Sequence, residues 1–456
     1  MKYISICLLS GVLAVASVSG QAPQTEITKW QDGKQAAVAI TFDDSTLNQF
    51  RMALPALNER GLHGTFFIVT AEIPGAKYPP TFVGRPIMTI LRESATVPTT
   101  KDNVLERSSV IRYLADIERV EAAWPPTGMS GYNPNTQIKA GDYSTIEAAL
   151  ARLRATGVNY TAGGKPWVPV RSQEQGRPLG AQPGGLTWDE MKRYVAQGHE
   201  MANHALTHPQ LPVMDEANIL YEVDKARENI REQLGEKYTF SIEAPYGIDD
   251  ARVRSLLINR FPLTRNWVSD ADAVFMDGIM RGNNRDPAAS KLEYVQWQRG
   301  PVPATTMDEM TGWVDTSIAH GIWLVLVIHG IEGLGSSALP IDRVRTYFDY
   351  IKAHESGLWV ATYMDGGKYV RERMKSAVSS KQVGQAIEVT VTHSLDPKLY
   401  DLPLTARTTV PAQWTSVQFT QGKVTRTIPV QQEAGHASVM YRVVPNGGVV
   451  RLERGR

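Results

Sequence analysis

At 456 residues the chain has room for roughly two to four domains at ~100–200 residues each, and for a large buried core. Its 42% hydrophobic and 21% charged residues are the balance of a globular protein, which excludes long disorder and fibrous architectures. The 48 Lys and Arg nearly cancel the 47 Asp and Glu, leaving a net charge of +1 and no basic stripe to track a phosphate backbone, so nucleic acid is not expected as a partner.

Residues 1–20 begin with one charge, Lys2, continue through an apolar stretch from Ile4 to Val18 and end in small residues, the three-part pattern of a secretory signal. Cleavage is expected after Ala16 or Gly20, with the product in the periplasm or outside the cell. The apolar run is shorter than the ~20 residues that span a bilayer, which weighs against the alternative of a membrane-anchoring helix. No other segment is long and apolar enough to span, so no membrane span is expected. Cys7, the only cysteine, lies inside the signal. The mature protein then has no thiol, which excludes disulfides, Cys-ligated zinc and a cysteine nucleophile.

From Ala36 to about Lys375 short apolar runs alternate with amphipathic stretches, as strands alternate with helices in an α/β domain. Residues 37–42, 64–69 and 322–328 read as strands. Their apolar character is continuous, so they are expected to be parallel and covered on both faces. Ile219, Leu220, Val223, Ile230 and Leu234 recur at helical spacing, which predicts a helix over 215–234 stopped by Gly235. Residues 71–186, rich in Pro, Gly and Tyr, interrupt the alternation and show helix signals only near 103–122 and 143–156. A strand-to-helix connection is usually about 2–6 residues, so this is an insertion of subdomain size, expected to wall a substrate groove. A surface excursion is the alternative, because lengthening a loop costs little. After Ser379 helix signals vanish. Ile387, Val389 and Val391 alternate with polar residues, as do Val417 and Phe419, and turn signals follow at 421–422 and 446–448. Residues 380–456 are therefore expected to form a small antiparallel β-sandwich, whose role is either to bind carbohydrate or to pack on the first domain.

Two of the nine histidines, His204 and His208, stand four apart; on one helical turn that spacing aims both imidazoles the same way and suits a pair of metal ligands. Asp43 and Asp44 follow the first strand, at the end where parallel α/β folds build their sites. The alternative is that they cap the next helix. His329 directly follows the strand 322–328. Three strand ends thus offer adjacent carboxylates, an imidazole pair and a single imidazole, enough for a metal site, a base and an acid.

In chain order, Thr41-Phe-Asp-Asp44, His204-x-x-x-His208-Pro, Ala244-Pro-Tyr-Gly247 and Val327-Ile-His329 resemble the motifs of the polysaccharide deacetylases, the family with the NodB homology domain, carbohydrate esterase family 4. Gly64-Thr-Phe-Phe67, Gly198-His-Glu200 and Trp359-Val-Ala-Thr-Tyr363 resemble it too, so the likeness runs over about residues 35–375 apart from the insertion. The resemblance implies an α/β fold: a deformed (β/α)7-type barrel over 27–375, with the site at the C-terminal ends of its strands. It implies Asp43 as general base, and Asp44, His204 and His208 as ligands of a divalent metal. Zinc suits that mixed N/O set, as do cobalt and manganese. It further implies His329 as the acid that protonates the leaving group and the backbone N–H of Tyr246 as an oxyanion donor. The rings of Tyr246, Trp267 and Trp359 are expected either to stack on sugar faces or to pack in the core.

Two positions depart from the family pattern. Where the family carries an arginine that holds the catalytic Asp, residue 243 is Glu; one carboxylate cannot orient another by ion pairing, and Arg265 on a neighbouring strand is expected to take over. The Asp that orients the catalytic His is expected at Asp270 or Asp272. The resemblance then implies an exported hydrolase removing acetyl groups from a poly- or oligosaccharide. N-deacetylation of an N-acetylhexosamine glycan stands first and an O-acetyl esterase of the xylan type second. From another class, Glu243 invites the reading of a carbohydrate-binding protein with a decayed site; the presence of Asp43, Asp44, His204, His208 and His329 together opposes it.

Overall fold

A computed structural model of the chain describes residues 23–125, 134–163, 186–247, 250–265, 272–275, 278–281, 296–433 and 436–455. The expected signal with Cys7 lies outside the described residues, as do Trp267 and Asp270. The chain divides into two compact units. One is Lys29–Lys375 with Ser394–Leu402; the other holds the described residues up to Thr28, Ser376–His393 and the chain from Pro403 onward.

Strand β1 (Thr25–Ile27) belongs to the second unit. The sheet of the first unit consists of β2 (Ala36–Phe42), β3 (Thr65–Ile68), β4 (Glu200–Asn203), β5 (Ser241–Glu243), β6 (Leu263–Arg265), β7 (Asp272–Phe275), β8 (Gly278–Arg281), β9 (Gln296–Arg299), β10 (Trp323–Ile328) and β11 (Leu358–Ala361). Its hydrogen-bonded order is β8-β7-β6-β5-β4-β3-β2-β10-β9, parallel from β6 to β9 and antiparallel from β6 through β7 to β8. The first unit is thus a deformed (β/α)7-type barrel. Its deformation is a fork at β2: Ala36–Ala39 pair with β11, whereas Thr41 and Phe42 on the same edge pair with β3. The C-terminal half of β2 therefore keeps β3 and β10 beside it, and this is the half that leads to Asp43.

Every residue of β2 is buried, which is why its sequence is apolar except for Thr41, whose hydroxyl donates to the Leu326 carbonyl at 2.6 Å. Val38, Ile40 and Phe42 pack outward in a core shared with Met310, Val314 and Phe348 of the surrounding helices. Ala37 and Ala39 pack inward with Phe67, Trp323 and Tyr363. The helix Tyr363–Lys375 approaches this inner layer so closely that a Cβ on Gly366 would lie 2.7 Å from the Trp323 ring. The expected helix at 215–234 is present as Glu216–Leu234, capped by the Asp215 side chain, which accepts the Asn218 N–H at 3.1 Å, and ended at Gly235 with φ 103°.

The insertion has a core of its own, built around Ile90, Val110, Leu114, Leu150 and Leu153. Two helices match the expected positions, Val104–Arg112, which widens into a turn through Ile117, and Ser144–Ala155. The short helices Ile87–Glu93 and Pro134–Lys139 were not expected. Each is under two turns, too short for a clear apolar period.

The second unit adds β12 (Ala377–Val383), β13 (Ala386–Thr392), β14 (Leu404–Thr409), β15 (Ser416–Gln421), β16 (Val424–Pro429), β17 (Gln431–Glu433), β18 (His436–Val443) and β19 (Val450–Arg454). They form two antiparallel sheets, β1-β14-β18-β17 and β12-β13-β19-β15-β16. Phe419 of one sheet meets Tyr441 of the other with ring centroids 5.3 Å apart, and Ile387, Val389, Val391 and Val417 are buried as their alternation predicts. Two details differ from the expected boundaries. Residues 25–27 pair with Ala406–Thr408, so the start of the expected barrel segment joins the sandwich unit. Ser394–Leu402 leave that unit for the barrel, where Tyr400 packs on Phe240 with ring centroids 5.5 Å apart. Among the described residues no helix is long and apolar enough to cross a membrane.

Candidate active site

The barrel strands end in register. Phe42 pairs with both Ile328 and Phe66, Ile68 with Asn203, Asn203 with Ile242, and Glu243 with Arg265. The residues that end or follow these strands, Asp43, Asp44, His204, Glu243, Arg265 and His329, therefore come to one rim from five separate stretches of sequence.

Asp44 is buried and left-handed, with φ 79°. Its Oδ1 lies 3.0 Å from Nε2 of His208 and 3.6 Å from Nε2 of His204. One donor atom from each of the three side chains fits within 4.8 Å. Nδ1 of His204 sits 3.1 Å from the carbonyl oxygen of Glu243, so Nδ1–H donates there and the Nε2 lone pair turns to the cluster. A buried carboxylate and two convergent imidazoles, one tautomer set by a backbone carbonyl, fit a divalent cation with mixed N/O preference.

The route to that convergence is not the expected helical turn. His204 follows β4, and His208 ends a loop with left-handed backbone at Ala205 (φ 64°) and His208 itself (φ 57°). His208 precedes Pro209, which disfavours right-handed helical backbone. The two rings still meet, centroids 4.6 Å apart. The next helical run begins at Leu47, so the residue directly before it is Thr46 and neither Asp of the pair.

Asp43 is buried beside this cluster. Its Oδ2 accepts a hydrogen bond from Nη2 of Arg265, and Nε2 of His329 lies 3.7 Å from the same oxygen. Its Oδ1 has no hydrogen-bond partner among the described residues. Arg265 is itself fully buried, with Nε 2.9 Å from Oε2 of Glu243, Nη1 on the Thr41 hydroxyl and its guanidinium 4.4 Å from the centre of the Phe67 ring. Burial alone would lower the affinity of that guanidinium for its proton, but Asp43 and Glu243 outweigh it and hold the pKa above its ordinary value. The structure thus places one cation between the two carboxylates, where the family pattern has an arginine at residue 243.

The remaining expected residues are dispersed. Tyr246 is exposed, has φ 63°, and lays its ring 4.5 Å from that of His208. Trp359 is not at the rim. It pairs with Ala37 in the first half of β2 and packs edge-on against Tyr369, so its core reading holds. Asp270 and Trp267 lie outside the described residues; the backbone of Asp272 pairs with Arg281 in the β7-β8 hairpin.

Two residues that the motifs did not reveal hold the rim. Nε2 of Gln49 donates to the carbonyl oxygens of Asp43 and His329, each at 2.5 Å, and so pins two strand ends together. Asn203 accepts the Ala205 N–H at 2.8 Å and donates to the Val223 carbonyl at 3.0 Å. Each ties a nearby backbone group to one farther along the chain, His329 for Gln49 and Val223 for Asn203, and no local pattern marks the second partner.

The family model described as polysaccharide deacetylase matches residues 141–260, the stretch that contains His204, His208, Glu243 and Tyr246. Residues 141–260 are thus similar to the polysaccharide deacetylases. Over 80 residues the chain is 43% identical to a chitooligosaccharide deacetylase of Sinorhizobium fredii (strain NBRC 101917 / NGR234), covering 18% of this chain and 37% of that protein. Over 58 residues it is 41% identical to a chitooligosaccharide deacetylase of Bradyrhizobium sp. (strain ANU 289), covering 13% and 26%. The chain thus spans well under half the length of these two relatives. A solved family 4 carbohydrate esterase from Streptomyces lividans aligns at 12% identity and a TM-score of 0.28, over 72% of this chain and 92% of its own.

Proposed function

We propose that the protein is an exported, metal-dependent hydrolase that removes acetyl groups from a glycan, and that its first substrate class is an N-acetylhexosamine oligo- or polysaccharide. The observation that carries the reading is the juxtaposition of Asp44, His204 and His208 with an Asp43 whose Oδ2 is tied to Arg265 and whose Oδ1 is left for another partner. A divalent ion, zinc first and cobalt or manganese as alternatives, held by those three side chains would polarise the acetyl carbonyl and make a water easier to deprotonate.

The chain's own residues then divide the work. Asp43 takes a proton from the attacking water at Oδ1, while Arg265 keeps its carboxylate from rotating away. The water oxygen bonds to the carbonyl carbon, the C–N bond breaks, and His329 gives a proton to the departing amine. His329 is about a third exposed (34%), so it can recover that proton from solvent. The Tyr246 backbone N–H is the candidate donor to the oxyanion, and the exposed Tyr246 ring offers a face for a sugar. An amide needs the acid more than an ester does, because an amine leaves poorly unprotonated. The names of the two rhizobial relatives support the N-acetyl choice. Export is part of the proposal and rests on the pattern of residues 1–20.

Acetate release from chitooligosaccharides, peptidoglycan fragments and acetylated xylan tests the substrate. Release from the first two is expected to exceed release from xylan. Release from xylan alone would replace the amidase reading with the esterase one, and release from none would return the decayed-site reading.

A further inference from the structure

His208 is delivered by a loop that would not hold its shape unaided. Ala205 and His208 are non-glycine residues in left-handed backbone, a conformation kept only where the surroundings over-determine it. Part of the restraint is backbone: the N–H groups of Thr70 and Ala71 donate to the carbonyls of Ala205 (3.3 Å) and Leu206 (3.1 Å), and the Leu206 N–H donates to the Glu222 carbonyl (3.2 Å). The rest converges on Thr207, the residue before the histidine. Its N–H donates to Oε2 of Glu222 at 2.9 Å and its hydroxyl to Oε1 at 2.6 Å, so one residue occupies both oxygens of a buried carboxylate. Arg112 closes the group. Its Nη1 lies 3.2 Å from Oε1 of Glu222, its Nη2 donates to the Thr207 hydroxyl oxygen, and its Nε is 3.7 Å from Asp116.

Arg112 is the last residue of the insertion helix Val104–Arg112, so this contact comes from the segment that interrupts the regular barrel. The same helix meets the barrel again where the Asp215 N–H donates to the Ser109 hydroxyl at 3.0 Å. Nearby, Val83 and Asn218 exchange two hydrogen bonds of 2.9 and 2.8 Å.

We propose that Arg112 is a positioning residue for the metal-ligand loop: with Glu222 it locks Thr207, and through Thr207 the backbone that aims His208 at Asp44. The proposal rests on the reading of Asp44, His204 and His208 as a metal site. Without Arg112, Glu222 is a buried carboxylate with no ion-pair partner among the described residues, Thr207 loses a donor, and the loop can relax out of its left-handed backbone, taking Nε2 of His208 away from the Asp44 oxygen. Groups that orient metal ligands typically set affinity by about 10–100-fold.

The test is the affinity of the full chain for zinc, measured by competition with a chelator, for the wild type, Arg112→Ala, Arg112→Lys, Thr207→Val and His208→Ala. Arg112→Ala and Thr207→Val are expected to weaken zinc by about 10-fold or more. Arg112→Lys, which restores a positive charge but not the fork, should fall between Arg112→Ala and wild type. Thr207→Val keeps every charge, so it decides the matter if Arg112→Ala does not fold. Wild-type affinity in Thr207→Val together with wild-type affinity in any folded Arg112→Ala, while His208→Ala loses zinc, overturns the proposal alone. A wild type that takes up no zinc overturns the metal reading and the proposal with it.

Discussion

Arg265 stands between two buried carboxylates, and that arrangement limits what can be changed around it. Removing the guanidinium leaves both Asp43 and Glu243 buried without that partner, a loss typically on the order of 3–5 kcal/mol. Arg265→Ala is therefore expected to lower the unfolding free energy by about that amount in urea titrations. Adding Glu243→Gln should restore part of it, because one of the stranded charges is gone. An Arg265→Ala protein as stable as wild type would show that the guanidinium is not what balances the pair. Base and ligand are separable as well. Asp43→Asn is expected to keep its metal but lose roughly 10²-fold or more in rate, whereas His204→Ala should lose metal and rate together. Metal analysis alongside kinetics checks this, and loss of metal from Asp43→Asn would move Asp43 into the ligand set. Asp43, Asp44, His204 and His329 were legible as sequence because they directly follow strands in recognisable phrases, and His208 through its spacing from His204. Gln49 and Thr207 were not, because partners such as His329 and Arg112 stand far along the chain.

At the scale of elements, the strands were legible where burial on both faces leaves a nearly continuous apolar run, as in β2 and β10, and the helix Glu216–Leu234 where cap, period and stop agree. The loop carrying His208 was not, because a four-residue spacing is compatible with a helical turn and with a left-handed loop alike. Two titratable groups give the elements a pH signature. His199, at the start of β4, is fully buried: its Nδ1 accepts the Gly64 N–H at 3.1 Å and its Nε2 faces Oδ1 of Asn58 at 3.0 Å. Burial, helped by the neighbouring His63, pushes its pKa down to about 4. The unfolded chain takes this proton near the ordinary ~6.5, so stability is lost as pH falls from ~6.5 toward 4. Glu372, in the helix Tyr363–Lys375, is opposite in sign. Burial pushes it up to about 7, against the Leu402 N–H at 2.9 Å. The unfolded chain releases that proton near ~4.3, so its contribution is full below that and lost as pH rises through about 7. Each effect is on the order of 3 kcal/mol, at ~1.4 kcal/mol per tenfold change in proton affinity. Thermal midpoints from pH 4 to 8 should show His199→Gln flattening the acid side and Glu372→Gln the neutral side. Unchanged profiles would mean that neither group titrates differently on folding.

The whole molecule was legible in outline, a barrel, an insertion and a β-sandwich, because each has its own residue pattern. The exchanges between segments were hidden. Residues 25–27 supply an edge strand to the sandwich, and residues 394–402 return to the barrel, where Lys368 pairs with Asp401 at 2.7 Å. Short polar stretches of this kind carry no period that assigns them to one core or another. The insertion, expected as a groove wall, has its own core and reaches the loop that carries His208 through the contacts of Arg112 with Glu222 and Thr207. The central claim is that a metal held by Asp44, His204 and His208 lets Asp43 and His329 hydrolyse an acetamide on a glycan. The most direct measurement is acetate release from a chitooligosaccharide by one protein sample in three states: as prepared, stripped by chelator, and reloaded with zinc. The expected result is release that falls to background on stripping and returns on reloading. Release that survives complete stripping would contradict the account.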